Sequence, residues 1–148
     1  MTRALRVVSP VVFLLLALPA AAQPPPEWLL LQNDPNPFCN APGVTAIRWA
    51  APQQADLRLE VLSPDSSQVI RVLVNGTLMA GFHEVIWDGR DDGAAVLPTG
   101  LYPYRISATD SDTGGQLFTD TRVATIACET STIPERWGRL KARYRDRE

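Results

Sequence analysis

The sequence predicts an all-β fold, an immunoglobulin-like or fibronectin-III-like antiparallel β-sandwich of about seven strands. Apolar and polar residues alternate along the body of the chain, as Leu57, Leu59 and Val61 do with the residues between them. Turn signals such as Ser63-Pro64-Asp65 and Asn75-Gly76 separate these runs at short intervals, and the body shows no helical period. Short strands joined by regular turns are typical of a sandwich.

The predicted strands follow a short lead-in and fill a sandwich over residues 28–130. Residues 23–27 contain three consecutive prolines, which favour a stiff, extended segment. The strands are predicted at 28–33, 44–50, 56–62, 68–74, 82–87, 101–109 and 116–127. Pro103 falls inside one of them and lacks a backbone donor, so it belongs at an edge or a bulge.

Residues 1–22 have the pattern of a secretory signal peptide. Arg3 and Arg6 precede a mostly apolar run, and Ala20-Ala21-Ala22 supplies a small-residue cleavage pattern before Gln23. The run is too short to favour the alternative, an uncleaved membrane anchor. We therefore expect export to the periplasm, the cell surface or the medium, with no transmembrane segment after signal cleavage.

The charge balance of the body argues against nucleic acid as a partner. Residues 23–133 hold 6 basic and 13 acidic side chains, for a net charge of −7. Nucleic-acid binding is dominated by cationic contacts to phosphates. The expected partner is an unidentified protein in the cell envelope or the extracellular space.

The two cysteines, Cys39 and Cys128, stand near the two ends of the body. In an oxidising compartment such a pair favours a disulfide over the alternative of two buried thiols. Two cysteines and one histidine are too few for a structural zinc site with four ligands.

Residues 131–148 are predicted to form a basic amphipathic helical tail. Thr132-Ile133-Pro134-Glu135 fits a capping box with proline in the first turn. Ile133, Trp137, Leu140 and Tyr144 then recur at helical spacing. Trp137, Leu140 and Tyr144 are thus possible partner contacts, and docking on this protein or on a partner is favoured over membrane binding.

An acidic segment, residues 88–93, is the one metal candidate in the sequence. Asp88, Asp91 and Asp92 are weak calcium candidates, but Arg90 stands where a second carboxylate should be and no glutamate closes the loop. The favoured interpretation is an Asx-turn, in which the aspartates bind backbone amides and the glycines take positive φ. No cofactor is expected.

No catalytic motif accompanies this segment. His83 is the only histidine and shares an alternating face with Val85 and Trp87, which indicates packing rather than catalysis. No nucleophile elbow, zinc-protease motif or phosphate loop occurs. We predict no catalytic residue and no enzymatic activity.

Several short pieces, in a fixed order, resemble one known family. They are Leu31–Phe38, Ile47–Trp49, Leu59–Leu62, Val69–Leu73, Ala80–Arg90 and Gly100–Arg105. Together, over residues 29–109, they resemble the FlgD/Vpr-type immunoglobulin-like domain, known from the flagellar hook-capping protein and from the C-terminal ends of many secreted bacterial proteins. The motif residues are Asn36, Pro37, Phe38, Trp87, Asp88, Gly89, Gly93, Gly100, Tyr102 and Tyr104.

The resemblance implies a function class without naming a partner. The first hypothesis is a secreted, non-enzymatic module for protein–protein contact or envelope assembly. The alternative is a sorting or surface-anchoring module for export, similar to type IX sorting domains. A calcium-dependent carbohydrate binder is a third, less favoured hypothesis. Because the resemblance implies a bacterial source, Asn75-Gly76-Thr77 is interpreted as a hairpin turn rather than a glycosylation acceptor.

Overall fold

The computed structural model describes residues 23–128 of the 148-residue chain. The predicted signal peptide and the predicted helical tail, with Trp137, Leu140 and Tyr144, lie outside the described residues. No helix in the described part is long and apolar enough to cross a membrane.

The described residues form an all-β sandwich of seven strands in two antiparallel sheets, as predicted. The strands are β1 (Leu29–Leu30), β2 (Thr45–Ala51), β3 (Ala55–Leu62), β4 (Val69–Leu78), β5 (Gly81–Trp87), β6 (Gly100–Thr109) and β7 (Gln116–Ile126). One sheet has the order β1-β2-β5, and the other has the order β4-β3-β6-β7. We call them the three-stranded and the four-stranded sheet.

Alternation along the strands directs one set of side chains into the space between the sheets. In β6, Tyr102, Tyr104 and Ile106 are buried, whereas the residues between them are half-buried. Trp87 at the end of β5 is fully buried and packs on the rings of Phe38 and Tyr102, at centroid distances of 5.5 and 6.1 Å. These aromatic contacts join the two sheets and favour a single core.

β4 continues through Asn75-Gly76, so the hairpin turn predicted there is wrong. Asn75 pairs with Arg58, and Gly76 pairs with Leu57, both in β3. The partner strand supplies pairing as far as Leu78, and this tertiary pairing overrides the local turn preference. The chain turns only at residues 79–80 and then enters the other sheet as β5.

Pro103 lies in β6, an interior strand of its sheet, but at a point where that strand has only one neighbour. The pairing of β6 with β3 ends at Tyr104, which faces Val61, while Pro103 pairs with Val123 of β7. The residue therefore has an edge on one side, as its missing N–H requires.

Residues 32–38 close the sandwich on the side where β1 and β7 approach each other. The Asn36 side chain accepts a hydrogen bond from the Thr125 N–H at 2.8 Å and donates to the Val123 carbonyl at 3.3 Å. Phe38 then forms a parallel bridge with Ile126. The backbone edge of β7 is thus paired by this segment.

Buried polar side chains hold the same segment against the core. The Tyr104 hydroxyl accepts from the Asn33 N–H at 2.8 Å and donates to the Leu31 carbonyl at 2.9 Å. The Asn33 amide donates to Thr45 Oγ1 at 2.9 Å, and that hydroxyl donates to the Pro35 carbonyl at 2.8 Å. Burial raises the pKa of Tyr104 to about 12, so the hydroxyl stays protonated and can serve as a donor.

Cys39 and Cys128 lie at disulfide distance, with sulfur atoms 2.08 Å apart and Cα atoms 4.4 Å apart. The bridge joins the loop after Phe38 to the residue that follows the last strand. It encloses nearly the whole sandwich, with a sequence separation of 89.

Candidate interaction surface

The acidic segment forms a turn in which carboxylates bind backbone amides. Asp88 Oδ1 accepts from the Arg90 N–H at 3.2 Å, and Asp91 Oδ1 accepts from the Ala95 N–H at 2.8 Å. Trp87 Nε1 donates to the Arg90 carbonyl at 3.0 Å and fixes the turn to the core. These contacts are those of the Asx-turn interpretation.

The three calcium candidates do not converge. Asp88 forms an ion pair with Arg90 at 3.6 Å, and Asp92 pairs with Arg71 at 3.8 Å. Within residues 23–128 there is no group of three or more His, Cys, Asp or Glu side chains that could hold a metal ion. A calcium site needs several oxygen ligands directed at one point. In this loop the carboxylate oxygens instead bind backbone amides and arginine guanidinium groups.

Gly89 is required for two independent reasons. Its φ is +69°, in the left-handed region, and a Cβ on it would lie 2.3 Å from Cβ of Asn40. Asn40 is buried there and donates to the carbonyls of Gly89 and Leu97, at 3.0 and 2.8 Å. One amide side chain therefore joins the two ends of residues 88–97, which we call the acidic loop.

Positive φ was predicted for Gly93 as well as for Gly89, and for Gly93 this prediction is wrong. Gly93 does not take positive φ; the neighbouring Ala94 does, at 65°. Gly100 begins β6 without positive φ, and a Cβ on it would contact the Tyr102 ring at 3.4 Å. The Tyr102 hydroxyl donates to the Pro98 carbonyl at 2.9 Å, the geometry of a tyrosine corner, so Gly100 leaves room for that ring.

The acidic loop also covers the free edge of β4. The Asp92 N–H donates to the Ile70 carbonyl at 3.0 Å, and Asp92 Oδ1 accepts from the Val72 N–H at 3.3 Å. The Arg71 guanidinium donates to the Asp91 carbonyl at 2.7 Å. Asp92 thus satisfies the groups that an additional strand would pair, which is one way of protecting a sheet edge.

The outer face of the three-stranded sheet exposes large apolar side chains. Phe82 is 78% exposed and Ile86 is 51% exposed, both on β5, while Leu29 and Leu31 are exposed beside β2. Side chains alternate along β5, so Phe82 and Ile86 point outward where His83, Val85 and Trp87 point inward. The exposed face formed by Phe82 and Ile86 was not predicted from the sequence.

An ion pair lies at the centre of this face. Arg48 of β2 faces Glu84 of β5, and Arg48 Nε lies 2.5 Å from Glu84 Oε2. Asp34 adds a second carboxylate 3.9 Å from Arg48. We call this surface, formed by Leu29, Leu31, Arg48, Phe82, Glu84 and Ile86, the apolar face.

His83 lies on the opposite, inner side of β5, as expected. Its ring stacks on Trp49 with a centroid distance of 5.4 Å, and its Nε2 is 2.9 Å from the Met79 carbonyl oxygen. These two contacts hold the ring between Trp49 and the turn before β5.

The outer face of the four-stranded sheet carries a cluster of charged side chains around Glu60. Glu60 has a side chain only 6% exposed, although the alternation assigned it to the polar face. Arg105 Nη2 lies 2.5 Å from its Oε1, and Arg58 Nε lies 2.7 Å from its Oε2, so two guanidinium groups cover the carboxylate. Burial raises the pKa of Glu60, but the hydrogen bonds and charges of Arg58 and Arg105 outweigh it and hold the pKa below 4.5.

Comparison with known families assigns this arrangement. A family model described as the FlgD Ig-like domain matches residues 40–112. Residues 40–112 are therefore similar to the FlgD Ig-like domain. No curated protein matches the chain.

The part of the chain that is similar to the FlgD Ig-like domain contains the acidic loop and most of the core. It begins at Asn40, which bridges the ends of the acidic loop, and it extends from β2 through β6. The segment with Asn36, Pro37 and Phe38 precedes the matched residues, and β7 follows them. The apolar face is therefore built mainly from matched residues and completed by Leu29 and Leu31.

Proposed function

We propose that this FlgD-type domain is a secreted, non-enzymatic module that binds another protein during envelope assembly or at the cell surface. The observation that supports this proposal is the apolar face. Two large side chains of one strand, Phe82 and Ile86, are more than half exposed on a sheet that also exposes Leu29 and Leu31. Large apolar side chains grouped on one exposed face are typical of interaction sites.

The chemistry of the apolar face defines the partner surface that fits it. Phe82 and Ile86 stand on either side of Glu84, so a partner would contact an apolar–acidic–apolar row along β5. Each arginine of the described part already lies within 4 Å of a carboxylate. A complementary partner surface is therefore apolar with a basic or hydrogen-bond-donating centre.

Site-specific photo-crosslinking in the cell that exports the protein tests this proposal. A photoreactive amino acid at position 82 is expected to give one discrete protein adduct. The matched control is position 101, because Leu101 is 59% exposed but lies outside the three-stranded sheet. Equal crosslinking from both positions, or none from position 82, would contradict a specific interface on the apolar face.

Export is tested on the same material. N-terminal sequencing of protein from the envelope or the medium is expected to begin at Gln23. Retention of the intact N-terminus in the cytoplasm would contradict a secreted role.

A further inference from the structure

The outer backbone edge of β5 has no pairing partner among residues 23–128. In β2, the Ala46 N–H and C=O both bond to Asp34, and the Arg48 carbonyl accepts from the Leu31 N–H, all on the β1 side. In an antiparallel ladder the N–H and C=O of one residue point to the same side, and neighbouring residues alternate. The even-numbered residues of β2 therefore face β1, and the odd-numbered residues face β5.

The register fixes which backbone groups of β5 point outward. The odd-numbered residues of β2 pair with the odd-numbered residues of β5 throughout. Phe82, Glu84 and Ile86 consequently direct their N–H and C=O groups away from β2. The same three residues supply the β5 side chains of the apolar face, so one row of residues presents both its backbone groups and its side chains outward.

The other sheet edges of the described part are shorter or partly covered. The edge strand β1 has only two residues, residues 32–38 pair with β7, and Asp92 binds Ile70 and Val72 of β4. In contrast, β5 has seven residues, no proline and no bulge. A long, regular edge strand of this kind can accept an added strand, which is one mode of peptide recognition.

A strand added to β5 would also cover apolar side chains that are only partly buried. Val85 of β5 and Leu73, Val74 and Leu78 of β4 pack against the core without being fully buried. β4 and β5 are edge strands of the two sheets and contact each other. Because successive side chains of a strand point to opposite faces, an added strand would present alternate residues to these side chains and to the apolar face.

The charges of the described part favour a basic occupant. Residues 23–128 hold 6 basic and 12 acidic side chains. Beside the β5 edge, the carboxylates of Asp34 and Glu84 share the Arg48 guanidinium, which leaves a net negative charge at the centre of the apolar face. A lysine or arginine opposite Glu84 would compensate this charge, because opposite charges on facing strand residues stabilise the strand pair.

A second copy of this chain fits the edge less well. If β5 paired antiparallel with itself over all seven residues, Glu84 would stand opposite the same residue of the other copy. Like charges directly opposite each other destabilise a strand pair. The excess of acidic over basic side chains would add repulsion between the two copies. The charges therefore favour a different, basic segment.

We infer that the partner binds by adding an extended segment to β5 as an antiparallel strand, with a lysine or arginine opposite Glu84 and apolar residues on both sides of it. The residues opposite Phe82 and Ile86 would pack on the apolar face, and those between them would lie beside Val85. All strand pairs of the two sheets are antiparallel, and parallel pairing is slightly less stable per residue. This inference rests on the proposed function, since it names how the proposed partner is bound.

A synthetic peptide tests strand addition on the complete chain from Gln23 to Glu148. The probe has the length of β5, with lysine at its centre, two valines on each side, and threonine at both capped ends. Saturation with this peptide is expected to slow amide hydrogen exchange at Phe82, Glu84 and Ile86 roughly tenfold or more. Binding without this protection, or no binding at millimolar peptide, would overturn the inference. Protection before peptide is added would show that another segment or a second copy occupies the edge, and would also overturn it.

Two N-methylated forms of the probe separate strand pairing from a contact made by side chains alone. Opposite Glu84 in an antiparallel pair, the backbone N–H of the central lysine faces β5, and that of the next valine faces away. A methyl group on the lysine backbone nitrogen is expected to weaken binding roughly tenfold or more, and one on the valine nitrogen should have little effect. Equal effects would indicate side-chain contact only, and a larger effect at the valine would indicate a parallel strand; either result overturns the inference.

A probe with glutamate in place of the central lysine tests the charge preference. It is expected to bind about fivefold or more weakly than the lysine peptide, and the variant Glu84→Gln should reduce this difference. Equal affinity of the two peptides for the wild-type chain would overturn the basic occupant. A discrete adduct from position 82 in the exporting cell, combined with failure of these peptide tests, would overturn strand addition alone. Absence of that adduct would contradict the proposed function itself.

Discussion

Trp87 connects the core with the acidic loop through one side chain. Its ring is fully buried between Phe38 and Tyr102, and its Nε1 donates to the Arg90 carbonyl. Truncation therefore removes both a large apolar volume and the hydrogen bond that fixes the turn. The sequence predicted the burial from alternation along β5, but the hydrogen bond depends on how the loop folds back over the ring.

The substitution Trp87→Ala is expected to lower the free energy of unfolding by about 3–5 kcal/mol. Phe82→Ala is the matched control, because Phe82 lies on the same strand and is 78% exposed; its effect should stay within about 0.5 kcal/mol. Urea denaturation followed by tryptophan or far-ultraviolet signals measures both. Similar stabilities for the two variants would show that Trp87 does not support the core.

Glu60 gives the fold a dependence on pH. Its pKa in the folded protein lies below the ordinary value of 4.5 because two arginines bind the carboxylate. A group with a lowered folded pKa stabilises the fold above its unfolded pKa, and that contribution is lost as the pH falls through the folded pKa. The sign therefore predicts loss of stability on acidification below about pH 4.5.

The substitution Glu60→Gln is expected to lower the free energy of unfolding at pH 7 by about 1–3 kcal/mol, since Arg58 and Arg105 lose a shared charged acceptor. The difference from the wild type should shrink as the pH falls below 4. Glu84→Gln is the control, because the Arg48–Glu84 pair is nearly half exposed and should contribute at most about 1 kcal/mol. A difference for Glu60→Gln that is constant from pH 7 to pH 3 would contradict the assignment.

Local sequence patterns predicted where the strands lie, whereas pairing with residues distant in sequence determines where the strands end. The alternating runs predicted every strand, yet Asn75-Gly76 was taken for a turn. β3 offers partners as far as Ala55, so β4 extends to Leu78. The buried side chains of Asn33, Asn40 and Glu60 were missed for the same reason: their partners are distant in sequence, and no local pattern specifies them.

The acidic loop and β4 act as one element. Asp92 supplies an acceptor to the Val72 N–H and pairs with Arg71, so the loop substitutes for a neighbouring strand. The structure assigns this loop an edge-protecting role that its sequence did not reveal, because a carboxylate in a turn can equally serve a metal or an amide.

The substitution Asp92→Ala is expected to lower the free energy of unfolding by about 0.5–1.5 kcal/mol, the usual net contribution of one hydrogen bond. Asp92→Asn keeps an acceptor oxygen and should lose less. Thermal or urea denaturation of both variants gives the comparison. If both variants are destabilised equally, the ion pair with Arg71 and not the hydrogen bond to Val72 holds the loop.

In the described part of the chain, one disulfide joins the segment before β2 to the residues after β7. Cys39 follows the segment that pairs with β7, and Cys128 follows β7 itself. The pairing was favoured from the sequence because an exported protein meets an oxidising compartment. The division of the strands between two sheets was not derivable residue by residue, since β4 and β5 are neighbours in sequence but belong to different sheets.

A bridge across a sequence separation of 89 removes chain entropy from the unfolded state and is expected to contribute about 4 kcal/mol. The double substitution Cys39→Ala and Cys128→Ala should lower the free energy of unfolding by up to that amount, and reduction of the wild-type protein should have a similar effect.

Non-reduced, denatured protein exported by the cell should show no free thiol by alkylation and mass measurement. Two alkylated cysteines in that sample would contradict the bridge. If mass measurement shows the bridge but its removal does not change the free energy of unfolding, residues 32–38 hold the end of β7 as firmly as the covalent bond does.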